Sequence, residues 1–441
     1  MIPRFSALGQ RFAAGTGIGT LMKDLGQALA AGGDVKMLGG GQPASIPAVE
    51  AVWRRRLEEI LAEPGAMERM LGHYDPPRGN PRFVEAVAGL LRSSFGWDVT
   101  PEHVAVTVGG QTAFFMLFNL LAGRMADGSR REILLPLVPE YIGYASQGLD
   151  NAVFRAVPPR IERIGRHDFK YHVDFEALEV TAETAAICVS RPTNPTGNVL
   201  TDDELARLSA LARQHGIPLI IDNAYGAPFP GAIFTPAEPL WGDHVILTLS
   251  LSKLGLPGTR TGIVVGPPEV VAAVAEMGSV IGLANPNIGQ EIVLPLVASG
   301  EILRLSETVI RPFYEERSRL ARGWVEEAFG DRFDYAVHLS EGAFFFWVWF
   351  PGLPATTQQL YERLKARGVL VVPGHHFFYG LDVPDWPHPH ECIRLTFTMP
   401  PETVREGLAI IGEEVRRLHG AKPHATQPPT GVNRTTISRS G

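Results

Sequence analysis

The feature that most constrains this chain is a rhythm: short, nearly continuous apolar runs separated by stretches with helical periodicity. The runs are His103–Val108, Glu132–Leu135, Ala185–Val189, Ile217–Asp222, Val245–Leu249 and Gly262–Gly266. A strand covered on one face alternates apolar and polar residues, whereas a strand covered on both has no polar side to present. Such runs, alternating with amphipathic segments, predict an α/β fold with a mostly parallel central sheet between helices. One helix start is explicit, because Thr201-Asp-Asp-Glu204 is a capping box opening Leu205–Arg213.

From about residue 300 the pattern changes to a long helical stretch, Glu301–Phe329, followed by the runs Phe344–Phe350, Val369–Val372 and Glu391–Phe397. This predicts a second, smaller α+β domain. The chain has 441 residues, and single cores stop growing at roughly 250 to 300. The expected division is a large domain over 50–305, a small domain built from 1–49 and 306–420, and a disordered tail over 421–441 that lacks periodicity.

Charged residues make up 20% of the chain and the net charge is -7, so no basic excess argues for nucleic acid. Two cysteines, Cys188 and Cys392, exclude a disulfide framework or a four-cysteine zinc site and favour a reducing compartment. No apolar run reaches a membrane span, and the first residues lack a signal-peptide apolar core. A cytoplasmic protein is expected. The triplet Gly39–Gly41 is not a dinucleotide fingerprint, since no strand-turn-helix with that glycine spacing surrounds it.

Ligands of open parallel sheets bind beyond the carboxyl ends of the strands, and chemistry-bearing residues collect there. Gly109-Gly110-Gln111-Thr112 follows the first run and opens a helix, either as a phosphate-holding N-terminus or as a plain turn. Asp222 ends another run. Buried there it needs a partner, for which a protonated pyridine nitrogen, a helix N-terminus and a metal ion are the alternatives. Tyr225 and Asn194 can donate to a phenolate oxygen. Lys253 lies shortly after a further strand end, in Ser250-Leu-Ser-Lys253, with Arg260 seven residues on. A lone lysine is most often exposed, but here hydroxyls and a guanidinium can meet a phosphate beside the amine. A Schiff-base lysine, a phosphate site and a carboxylate for a ring nitrogen are what pyridoxal phosphate requires.

At these residues the chain resembles the fold type I aminotransferases, the aspartate aminotransferase superfamily. Asn194-Pro-Thr-Gly197, Asp222-x-x-Tyr225, Ser250-x-Ser-Lys253 with Arg260, and Ile393-Arg394-Leu-Thr-Phe397 occur in the family's order. A narrower similarity covers about residues 10 to 418, carried also by Met37–Pro43, Pro139–Tyr144 and Asp222–Gly231. It implies valine or alanine as donor and pyruvate or 2-oxoisovalerate as acceptor. The resemblance makes Lys253 the Schiff-base lysine, Asp222 the pyridinium partner, and Asn194 and Tyr225 the phenolate donors. Gly110, Gln111, Ser250 and Arg260 become the phosphate cup, Tyr141 the aromatic on the cofactor ring, and Arg394 the clamp on the substrate carboxylate, with Gly41 and Asn194 beside it. Tyr74 resembles the tyrosine that reaches the phosphate across a homodimer interface. The spacing from Lys253 to Arg260 is one residue shorter than in many members of the family.

The implied reaction is a ping-pong transamination in which Lys253 first holds the cofactor and then moves the α-proton. A lyase or decarboxylase on the same fold is the alternative enzyme, and an aminotransferase-like ligand-sensing regulator is the alternative outside catalysis. His388, His390 and Cys392 have metal-ligand types but no common zinc spacing, so no metal is expected. His375 and His376 lie where they can approach a substrate pocket.

Overall fold

The structure is a computed structural model and describes residues 4–19, 22–24, 26, 35–150 and 152–420. The expected tail over 421–441 lies outside the described residues. Its centre is an eight-stranded sheet in the order Val104–Thr107, Gly262–Val265, Val245–Ser250, Leu219–Asp222, Thr184–Ser190, Arg130–Leu135 and Gly123–Arg124, with Phe154–Ala156 also pairing Arg130–Leu135. Pairing is parallel through the middle, and Gly262–Val265 runs antiparallel to both of its neighbours.

The continuous apolar character of these strands has a direct cause. Along Thr184–Ser190, Ile187 and Val189 face one hydrophobic cluster while Ala186 and Cys188 face the other. Leu219 and Ile221 divide from Ile220 in the same way, because successive side chains of a strand point to opposite faces. Helices cover both. Asp202–Gln214 begins as expected: the Thr201 hydroxyl accepts from the Glu204 N–H at 3.1 Å, and the Glu204 carboxylate accepts from the Thr201 N–H at 2.9 Å. The long helical stretch runs as Glu301–Leu305 and Arg311–Phe329 joined by one widened turn, Ser306–Ile310. Pro312, two residues past that turn, has no N–H to continue the ladder.

A second, six-stranded sheet runs Val372–Pro373, Cys392–Thr396, Phe345–Trp349, Ala336–His338, Asp168–His172 and Arg160–Ile164. Of the N-terminal segment, Lys36–Met37 pairs in parallel with Val369–Leu370, whereas Arg11 in the helix Ala7–Ala13 donates to the Gly148 carbonyl of the large part. One hairpin crosses the expected boundary. Arg160–Ile164 and Asp168–His172 lie within 50–305 in sequence, yet Asp168 and Phe169 pair with Val337 and His338. A partly buried ion pair between Lys170 and Glu341 fastens the hairpin there, and Val199 donates its N–H to the same carboxylate at 3.0 Å.

Candidate active site

Register brings the chemistry to one edge. Thr248 and Ser190 stand level with Asp222 on the two flanking strands, and Gly262 stands level with both Ser250 and Thr107. The strand ends bearing Asn194, Asp222, Lys253 and the Gly110–Leu121 helix therefore open into one crevice, as parallel α/β topology requires.

Lys253 sits in the single turn Leu251–Leu254 that directly follows Val245–Ser250. The Ser250 hydroxyl closes this turn by accepting from Ser252 N–H at 3.2 Å, and the indole of buried Trp53 donates to the Leu254 carbonyl at 2.9 Å. The lysine Nζ donates to the Gly41 carbonyl at 2.6 Å and lies 5.1 Å from the centre of the Tyr225 ring. Burial, then the charges of Arg394 and Arg260, pull its pKa down to about 8 against a smaller opposing pull from Asp222. Such an amine is a usable nucleophile and base near neutral pH.

Asp222 is 9% exposed. Its Oδ1 accepts from the Ala224 N–H at 2.8 Å and the Thr248 hydroxyl at 3.3 Å, and its Oδ2 accepts from the Tyr144 hydroxyl. Burial raises its pKa, and these donors act in the opposite direction.

Arg394, 2% exposed, comes from the small-domain strand Cys392–Thr396. Nη1 donates to the Asn194 side-chain oxygen at 2.8 Å and Nη2 to the Gly39 carbonyl at 2.7 Å, with Phe345 and Phe377 packed against the guanidinium. Its buried Nε has no protein partner. Burial lowers the arginine pKa to about 10. Since Arg394 can only donate, it takes the oxygen end of Asn194 and leaves the amide hydrogens for another acceptor. Thus Gly39 and Gly41, in a glycine stretch that is no nucleotide loop, hold Arg394 and Lys253 through their carbonyls.

The helix Gly110–Leu121 starts after Gly109, which has φ of 82° and no side-chain cap. A methyl group on Gly109 would stand 2.1 Å from Nη2 of Arg260, so the guanidinium lies directly against this helix start. Nothing stands within 4 Å of where a Gly110 side chain would be. A helix start with a guanidinium against it is an arrangement that can hold an anion. The hydroxyl that reaches Arg260 is that of Ser252, at 3.4 Å, while Ser250 serves the turn. Gln111 and Tyr141 meet at Gly143, whose carbonyl accepts from the Gln111 amide at 3.1 Å. Tyr225 is buried, edge-on to Phe344 and Phe345, with its pKa raised by burial. Tyr74 is 83% exposed on this single chain.

Sequence reasoning missed two residues of the pocket. Tyr144 lay inside the quoted segment Pro139–Tyr144, but nothing local links it to Asp222, 78 residues away. Glu140, 1% exposed, accepts from the Ser190 N–H and hydroxyl and from the Tyr141 N–H. It thereby ties the strand end leading to Asn194 to the segment bearing Tyr141. The metal-like trio does not converge: His388 pairs with the Tyr171 hydroxyl at 2.5 Å, and His390 stacks on His375.

A buried amine of lowered pKa, a carboxylate for a cationic ring nitrogen, an anion site and a free guanidinium hydrogen suit a phosphorylated aromatic aldehyde and an amino-acid carboxylate. Comparison with known proteins agrees. The model of the family "Aminotransferase class I and II" matches residues 42–411, and the chain belongs to that family, whose members depend on pyridoxal phosphate. It is 49% identical over 413 residues to the valine–pyruvate aminotransferase of Escherichia coli (strain K12), covering 94% of this chain and 98% of that protein. The crystal structure of valine-pyruvate aminotransferase from Salmonella typhimurium LT2 is similar with TM-score 0.85 and 47% identity, over 92% of this chain and all of the other. An aspartate aminotransferase from Thermus thermophilus shares the fold at TM-score 0.74 and 24% identity, over 94% of this chain and 100% of that one. Among the described residues, no helix is long and apolar enough to cross a membrane.

Proposed function

We propose that this enzyme moves the amino group between valine or alanine and pyruvate or 2-oxoisovalerate by a ping-pong mechanism. The observation that carries the site assignment is the joint capping of Lys253 and Arg394 by the Gly41 and Gly39 carbonyls, which sets the base beside the carboxylate clamp. Bound pyridoxal phosphate supplies an aldehyde that takes up the amino group and a ring that accepts the electrons released at the α-carbon. Lys253 would hold the cofactor through its amine and would take the substrate's α-proton and return it. Asp222 accepts the ring N–H and keeps its charge. Asn194 and Tyr225 orient the ring, Tyr141 covers it, and Gly110, Gln111, Ser250 and Arg260, with the Ser252 hydroxyl, receive the phosphate.

Arg394 grips the substrate carboxylate, with Gly41 and Asn194 alongside, and so leaves the Cα–H bond toward Lys253. The aliphatic preference rests on likeness to the Escherichia coli enzyme. A survey of amino donors against pyruvate tests this: alanine and valine should lead with close aliphatic neighbours following, since a methylene difference gives only about 1–3 kcal/mol of discrimination. A strong preference for aspartate or an aromatic amino acid refutes it.

A cytoplasmic homodimer completes the proposal. Tyr74, Leu71, Val280 and Leu283 are 83%, 59%, 87% and 61% exposed. The two chain segments that carry them are joined by Asn287 and Asn285, which donate to the His73 and Pro77 carbonyls. An apolar surface of this kind favours association, and Tyr74 would then serve the partner's phosphate. Sedimentation of the holoenzyme distinguishes dimer from monomer.

A further inference from the structure

The hydroxyl of Tyr144 meets Asp222 in a place no motif marks. Asp222 takes its Oδ1 partners from its own turn and the adjacent strand, Ala224 and Thr248. Its Oδ2 partner comes from a different part of the chain, and it is Tyr144. The tyrosine is fully buried and its ring is fixed on three sides, with ring centres of Phe114 at 4.5 Å, Phe118 at 5.2 Å and Tyr141 at 5.3 Å. Its backbone N–H also donates to the Tyr141 carbonyl at 3.0 Å.

We propose that Tyr144 is a positioning residue for Asp222, its phenol holding the aspartate as an oriented, ionised carboxylate for the cofactor's ring nitrogen. The groups facing Asp222 set the need for it. Burial opposes the charged carboxylate and Lys253 favours it, while Glu140, Cys188, Tyr141 and Tyr225, whose pKa values are raised by burial and by the Asp222 charge, bring it no positive charge. Glu140 is itself buried, with its pKa pushed up to about 8 by desolvation foremost. In that surrounding an ionised aspartate depends on donors. The Ala224 N–H can only donate, and burial with the nearby Asp222 charge keeps the Tyr144 phenol protonated far above neutral pH. Tyr144 is therefore a fixed donor, and removing it leaves Oδ2 buried without one.

The inference deepens the assignment of Asp222 to the ring nitrogen, and the test separates the two. Three variants are compared with the wild type: Tyr144→Phe, Phe118→Leu and Asp222→Ala. The readouts are the affinity of the apoprotein for pyridoxal phosphate and the acid limb of the kcat profile. Tyr144→Phe keeps the ring and removes one oxygen. It should weaken cofactor binding about tenfold, the effect of losing a hydrogen bond to a charged group, and move the acid limb to higher pH by about one unit. Phe118→Leu loosens the same aromatic cluster without touching the hydroxyl, so it should leave the acid limb in place. An unmoved acid limb and unchanged affinity in Tyr144→Phe overturn the inference. An equal shift in Phe118→Leu also overturns it, by assigning the effect to packing. If Asp222→Ala binds cofactor as tightly as wild type, the assignment of Asp222 fails and the inference falls with it.

Discussion

Lys253 should destabilise the folded apoprotein, and replacing it with methionine should make that protein more stable. The amine has an ordinary pKa of 10.5 and is brought to about 8 by burial and by the charges of Arg394 and Arg260. At roughly 1.4 kcal/mol per pH unit, the difference corresponds to ~3 kcal/mol. Below about pH 8 the amine is charged in both folded and unfolded chains, so the folded chain carries the whole penalty. Between the two values the folded amine is neutral while the unfolded one is still charged, and the penalty fades. Above 10.5 both are neutral. Methionine fills the same volume without a charge, at the loss of one hydrogen bond to Gly41, worth about 1 kcal/mol. Lys253→Met should therefore gain ~2 kcal/mol in urea unfolding of the apoprotein near neutral pH, and the gain should vanish as pH approaches the ordinary lysine value. A variant no more stable than wild type near neutral pH, or a gain that grows with pH, refutes the argument that this amine is held against its solvation. Active sites commonly carry such a conflict between stability and function.

Arg394→Lys should lower kcat/KM for alanine by about 10- to 100-fold, since a lysine loses the fork and one charge-assisted hydrogen bond is worth roughly 1.5–3 kcal/mol; single-turnover absorbance changes measure it. Gly109→Ala places a methyl group 2.1 Å from Arg260 at a residue with φ of 82°, so affinity for pyridoxal phosphate should fall by at least about tenfold while far-ultraviolet circular dichroism is retained. Thr201→Ala removes the cap of the helix Asp202–Gln214 and should cost about 1 kcal/mol of stability, seen by thermal unfolding, with kcat unchanged.

The large sheet was legible because strands covered on both faces have no polar residues to confuse the pattern, as Ile187 and Cys188 show by entering opposite clusters. The capping box at Thr201 was legible because its partners lie three residues apart. The hairpin 160–172 was not assigned to the second sheet, since its periodicity describes a hairpin and says nothing of pairing with Val337, far along the chain. In the site, Lys253, Asp222, Asn194, Tyr225 and Arg394 were singled out because each follows a strand end or stands in a short motif, and the structure sets Lys253 beside Tyr225 and Arg394 beside Asn194. Tyr144 and Glu140 escaped because their meaning lies in one contact apiece with distant strand ends, Asp222 and Ser190. The Ser252 hydroxyl beside Arg260 adds to the Ser250 hydroxyl, which closes the turn between them.

The central claim is that Lys253 holds the cofactor and moves the proton of an amino-acid substrate. The visible absorbance of the purified holoenzyme tests it most directly. Wild type should lose that band on addition of alanine or valine and regain it with pyruvate, and Lys253→Ala should show neither the lysine-bound band nor turnover. A Lys253→Ala protein that keeps both would contradict the account.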